Sequence, residues 1–160
     1  MTKELSRGSE VYTDEVFQIL AEYEISRSIR YPTPVGMLTI EMIPTGHDEK
    51  SLRAAPKIFT ATLNAHLRSV DIPSVIGREY RILLPTTSEH GTRSLCERLI
   101  SVFRNKLSAE DGSSIAFSLN IGGVSHGGGD SLSYQSLLEK SANALKQSKL
   151  KGPNTFVVLS

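Results

Sequence analysis

The chain has 160 residues, 39% hydrophobic and 22% charged, with a formal net charge of +1 and one cysteine. Such a length suits one domain, burying roughly two-thirds of its unfolded surface without disulfides or metal. The near-zero charge excludes a whole-molecule pull toward nucleic acid, the lone Cys96 excludes an intrachain disulfide, and no apolar run approaches the roughly 20 residues of a membrane span.

The start, MTKELSRGSE, has no apolar core for a signal peptide, so a soluble cytoplasmic domain over residues 13–160 is expected, after a flexible N-terminus over residues 1–12. Val16, Ile19, Leu20 and Tyr23 follow helical spacing within residues 13–30, and Tyr31-Pro32-Thr33-Pro34 ends that helix. Residues 35–43 read as a central strand covered on both faces, and Pro44-Thr45-Gly46-His47-Asp48 as a turn. Leu52, Phe59, Leu63 and Leu67 mark a second helix. Because proline is tolerated in a first turn, Pro56 predicts a start near Ala55.

Residues 72–85 read as a hairpin whose Gly77 supplies the positive φ of a type II′ turn. Thr87 or Ser88 caps the next helix, with Leu95, Leu99, Val102, Phe103 and Leu107 as its apolar stripe. Residues 113–121 form a strand with Ile115, Phe117, Leu119 and Ile121 on one face. A glycine-rich loop over 122–129, a helix over 132–149 stopped by Gly152-Pro153, and a last strand over 155–159 complete the chain. The order α-β-α-β-β-α-β-α-β implies a mixed sheet packed by helices in one α/β or α+β domain.

Four segments carry a resemblance. Glu24-Ile25-Ser26-Arg27-Ser28-Ile29-Arg30-Tyr31 and Thr39-Ile40-Glu41-Met42-Ile43 are followed by the turn Ile76-Gly77-Arg78-Glu79-Tyr80. Leu119-Asn120-Ile121-Gly122 comes next, and then Ala144-Leu145 with Lys149 and Gly152-Pro153-Asn154. In order and spacing they resemble the GGDEF (diguanylate cyclase) domain, with a degenerate signature. The resemblance implies a nucleotidyl-cyclase-like palm with a central mixed five-stranded sheet, in bacterial signalling. It places Glu41 where the family has a metal-binding aspartate, Lys149 among the triphosphate contacts, and Gly77, Arg78, Glu79 and Tyr80 in the Gly-Gly-(Asp/Glu)-Glu-Phe turn. Arg78 then stands where a second metal-binding acid belongs, and a permanent cation repels a metal. Pro153 replaces a triphosphate-binding arginine, and residues 45–55 lack the family's guanine-reading Asn and Asp. Catalysis is expected to be lost.

The resemblance also implies a second site. Arg68-Ser69-Val70-Asp71 matches the family's inhibitory Arg-x-x-Asp, where cyclic di-GMP binds, although the segment from Asp71 to the turn is one residue short. Arg98 takes the place of a further family arginine. Arginine offers a planar fork for guanine and phosphate, and a carboxylate accepts from the guanine edge. Asp71 is expected to be solvent-accessible.

Plainer readings stand beside these. Arg-x-x-Asp alone is a common solvated helix end, and Arg98 alone an exposed helix residue. For Glu41, an ion pair with Arg78 across the sheet is favoured over a metal, because a buried charge needs a partner. Glu79 and Tyr80 read as turn and packing residues. His47, His66, His90 and His126 lack ligand spacing, so no metal or cofactor is expected. Gly127-Gly128-Gly129 reads as a connector rather than a P-loop, and Cys96 as core.

The leading expectation is a catalytically inactive regulatory module with no catalytic residue, binding cyclic di-GMP through Arg68, Asp71 and Arg98. A homodimer or a partner signalling protein would accompany it, without nucleic acid or membrane. A structural interaction domain without nucleotide, and a residual diguanylate cyclase using Glu41 and Glu79, are the alternatives.

Overall fold

The computed structural model describes residues 11–46, 48–108, 112 and 114–160. Its elements run α1 (Asp14–Arg30), β1 (Val35–Pro44), α2 (Glu49–Ala65), β2 (Ile72–Ile76), β3 (Glu79–Leu84), α3 (Glu89–Phe103), β4 (Leu107–Ser108), β5 (Ser114–Ile115), β6 (Phe117–His126), α4 (Tyr134–Lys151) and β7 (Thr155–Leu159).

β1 is the centre of the main sheet. Its residues from Val35 to Ile40 are all buried, and it pairs antiparallel with β3 and β6. The five-stranded order is β2-β3-β1-β6-β7, with β7 parallel to β6 and the hairpin at the opposite edge. The sheet is therefore mixed, as expected. The alternation of side chains along each strand separates two cores. Leu38, Ile40, Tyr80 and Ile82 pack with Phe59 of α2 and Leu99 and Phe103 of α3, whereas Met37, Leu83 and Val124 pack with Phe17 of α1 and Leu137 of α4.

The hairpin turns at Gly77 (φ +62°), with Ile76 opposite Glu79. The flexible terminus expected over residues 1–12 lies outside the described residues as far as residue 10. Tyr12 is held, its N–H donating to the Pro73 carbonyl (2.9 Å) and its own carbonyl accepting from Val75 (3.3 Å). It forms a parallel bridge to Ser74 on the outer edge of β2.

Four expectations are corrected. First, α1 buries Phe17, Ala21, Ile25 and Ser28, leaving Val16, Ile19 and Tyr23 exposed. The helix is apolar on both faces, so periodicity does not choose between them. Second, α2 begins at Glu49, because Asp48 caps it by accepting from the Ser51 N–H (2.7 Å) and hydroxyl (2.9 Å). Pro56 lies inside the helix. Third, Leu107 leaves the α3 stripe to form β4 against β5. The strand expected over residues 113–121 breaks at Ala116, whose carbonyl accepts from both the N–H (2.9 Å) and hydroxyl (3.0 Å) of Thr45.

Fourth, Gly122 and Gly123 belong to β6. A Cβ on Gly122 would collide with the backbone of Ser141 and Leu145 in α4. The glycine is there to let a helix lie close on the strand. Since backbone cannot yield, Gly122→Ala should lower unfolding free energy by about 2 kcal/mol, read as a reduced urea midpoint.

Cys96 is fully buried on α3, and burial pushes its thiol up to about 12. Its folded pKa is raised, so the stability from burying the neutral thiol is full below about 9 and declines as pH rises toward about 12. A thiol reagent at pH 8 should therefore label the chain only as fast as it unfolds; rapid labelling of native protein would contradict this burial.

Candidate ligand pocket

The backbone first places Arg68 and Asp71. After α2 ends, the chain tightens so that the Asp71 N–H donates to the Arg68 carbonyl (3.1 Å) and the Arg68 N–H donates to Asp71 Oδ2 (2.8 Å). The guanidinium then folds over the same carboxylate, with Nε and Nη2 at 3.3 Å and 2.9 Å from Oδ1. Asp71 is only 3% exposed and Arg68 is 52% exposed. The expectation of a solvent-accessible Asp71 is thus corrected: this carboxylate is buried because it closes the turn that carries its partner.

The turn after β3 was missed as a site element. Arg68 Nη2 also donates to the Pro85 carbonyl (2.8 Å) and to Thr87 Oγ1 (2.6 Å), while the Thr87 hydroxyl donates to the Pro85 carbonyl (2.9 Å). Between them Thr86 adopts φ +49°, costly for a β-branched residue. The sequence signalled Thr87 only as a helix cap. Arg98, on α3, donates to the His66 carbonyl (3.2 Å). Arg68, Asp71 and Arg98 line one pocket of about 240 Å³, with Thr87, Ser94 and Leu95 among its walls.

A larger cleft, of about 560 Å³, opens at the N-terminus of α2 beside Lys50 and Lys106, but Asp48 is in its wall. The Ser51 N–H and then its hydroxyl hold the Asp48 carboxyl below its ordinary range, so a negative charge already takes the helix end an anion would use. Another cleft, of about 500 Å³, lies between α2 and the hairpin beside Lys57, Thr60 and Tyr80. Neither has the paired guanidinium groups of the smaller pocket.

The signature turn is built differently from expectation. Glu41 and Glu79 face each other across β1 and β3. Glu41 Oε2 accepts from Lys149 Nζ (3.0 Å), not from Arg78. Glu41 is on the sheet face that α4 covers, and Arg78 is exposed at the hairpin tip. Glu79 accepts from Arg81 (3.4 Å), which also pairs with Asp14 (3.2 Å). Tyr80 packs on Phe59 with ring centroids 4.6 Å apart, and burial raises its hydroxyl pKa. Among the described residues no three His, Cys, Asp or Glu side chains converge on a metal-sized site, and His47 lies outside them. His126 accepts from the Gly128 N–H (2.8 Å) and bonds Ser131 (3.0 Å), ordering the glycine connector.

No protein-family sequence model matches the chain, and comparison with curated proteins gives no match. Solved structures do match. The GGDEF domain of YfiN (TpbB) from Pseudomonas aeruginosa superposes with TM-score 0.73 at 15% identity, covering 94% of this chain and 98% of that one. The chain has the GGDEF-domain fold. The coiled coil and GGDEF domain of DgcB from Caulobacter crescentus, solved with cyclic di-GMP, gives TM-score 0.75 at 12% identity, covering 94% and 82%. The active GGEEF domain of a diguanylate cyclase from Vibrio cholerae gives 0.68 at 20%, covering 92% and 96%. At these identities the likeness establishes the architecture, and the chemistry has to be argued from the residues of this GGDEF-fold chain. No helix among its described residues is long and apolar enough to cross a membrane.

Proposed function

We propose that this GGDEF-fold chain is a regulatory module that binds cyclic di-GMP and does not synthesise it. The observation that carries the reading is the convergence of Arg68, Asp71 and Arg98 on one pocket. Two guanidinium groups there offer charge and planar donors to a phosphodiester and to guanine acceptors. Arg68 is pre-oriented by Asp71, Pro85 and Thr87, which lowers the entropy cost of using it. Relatives in the fold were solved with this ligand.

The two divalent cations that diguanylate synthesis needs do not fit the donor set at the signature turn. Hard cations require several free carboxylate oxygens. Here Glu41 is neutralised by Lys149 and Glu79 by Arg81, and the Arg78 cation replaces the next ligand. A nucleotide triphosphate would meet charges arranged to satisfy one another. The purified chain given GTP and Mg²⁺ should yield no cyclic di-GMP. Product formation that is lost in Glu79→Ala would instead support the residual-cyclase reading.

One observation favours a second reading, a protein-interaction module without nucleotide. Arg68 and Asp71 already satisfy each other, and the network that holds them has a structural purpose of its own. Failure to bind the dinucleotide would leave that reading in place.

A further inference from the structure

α1 carries an apolar stripe that the fold does not use. Val16 is 41% exposed, Ile19 69% and Tyr23 71%, although Phe17, Ala21 and Ile25 on the other side already anchor the helix to the sheet. Val16, Ile19 and Tyr23 recur at spacings of three and four, the pattern of a two-helix seam. They point away from the sheet, since the inward residues occupy the opposite side of the helix.

The flanking charges decide what fits this stripe. On one flank stand Glu15 and Glu22, and on the other Leu20 and Arg27. In a parallel pair of such helices, a residue on the first flank meets the residue five positions on, on the second flank of its partner. Glu22 then faces Arg27 of a second copy, twice by symmetry, and Glu15 faces Leu20. In an antiparallel pair overlapping the same seam each flank meets its own kind, which sets Glu15 against Glu22 and carries Arg27 beyond the overlap. Arg27 pairs with Glu24 in its own helix at 3.1 Å but remains 59% exposed, so it is available to both. Ser26 continues the seam as a small polar residue, and Arg30 after it opposes its own copy, which confines the contact to the earlier turns.

We infer that α1 is the interface of a parallel homodimer of this chain, with Val16, Ile19 and Tyr23 as its seam and Glu22–Arg27 pairs setting its direction. The seam is short, so association is weak, half-complete at a concentration on the order of 100 µM.

Sedimentation equilibrium of the full chain without nucleotide tests this independently of the ligand pocket. Between about 10 µM and about 1 mM the mean mass should climb from monomer toward dimer. Ile19→Asp should hold it at monomer with an unchanged melting temperature, because the position is exposed. Glu22→Arg should raise the half-association concentration about tenfold, and adding Arg27→Glu should restore it. Ile19→Cys should cross-link to its own copy on mild oxidation, as a parallel register requires. A monomer throughout, as expected if the stripe instead takes another protein's helix, overturns the inference. So does a dimer indifferent to Ile19→Asp or to the charge exchange.

Discussion

Asp71→Ala should lower the unfolding free energy by about 3 kcal/mol, enough to move a urea midpoint by about 1 M or more. The carboxylate is buried, accepts the Arg68 N–H, and receives two guanidinium contacts. Removing it leaves backbone and side-chain donors of Arg68 without their acceptor, which is more costly than the net value of the pair. The half-exposed Arg68 can turn to water, which places the cost at the lower end of that for broken buried pairs. Asp71→Asn keeps an oxygen for the backbone N–H and should lose about half as much. In a double-mutant cycle with Arg68→Ala, the loss in the double mutant should fall short of the sum of the two single losses by about 1 kcal/mol. An Asp71→Ala protein as stable as wild type would contradict the turn described above.

Arg68→Ala should weaken cyclic di-GMP binding by about 2–4 kcal/mol, a factor of about 30 to 1,000, because charge-assisted and bidentate contacts are the strong ones. Arg98→Ala should weaken it about tenfold while leaving the melting temperature unchanged, since its side chain donates to the His66 carbonyl at the protein surface. The contrast separates the two kinds of contact: Arg68 also holds a buried carboxylate, whereas the Arg98 bond to the His66 carbonyl is exposed to water. Calorimetric titration of each variant, with thermal melts alongside, reads the difference.

The hairpin and the order of the main-sheet strands and their helices were legible because their causes are local. Gly77 must take a positive φ, Ser88 caps the helix that follows it, and proline bounds α1. What was not legible depends on distant partners. The sequence shows glycines at 122 and 123 but not the helix that crosses them, so they read as a loop. For Glu41 the sequence points to a cationic partner but not to which one. The pleat decides which face it occupies, and only the packing of α4 brings Lys149 there. The Arg-x-x-Asp motif brings Arg68 and Asp71 to notice and the resemblance adds Arg98, and the three do share a pocket. Yet the contribution of Pro85 and Thr87 comes from a turn about 15 residues away, which no spacing rule reports.

The measurement that bears most directly on the account is a calorimetric titration of the wild-type chain, at a concentration on the order of 100 µM, with cyclic di-GMP and separately with GTP and Mg²⁺. The account predicts saturable binding of the dinucleotide with a Kd near or below about 10 µM, weakened at least about 30-fold in Arg68→Ala, and no heat from GTP. Saturable binding of GTP, or no binding of cyclic di-GMP at that concentration, would contradict it.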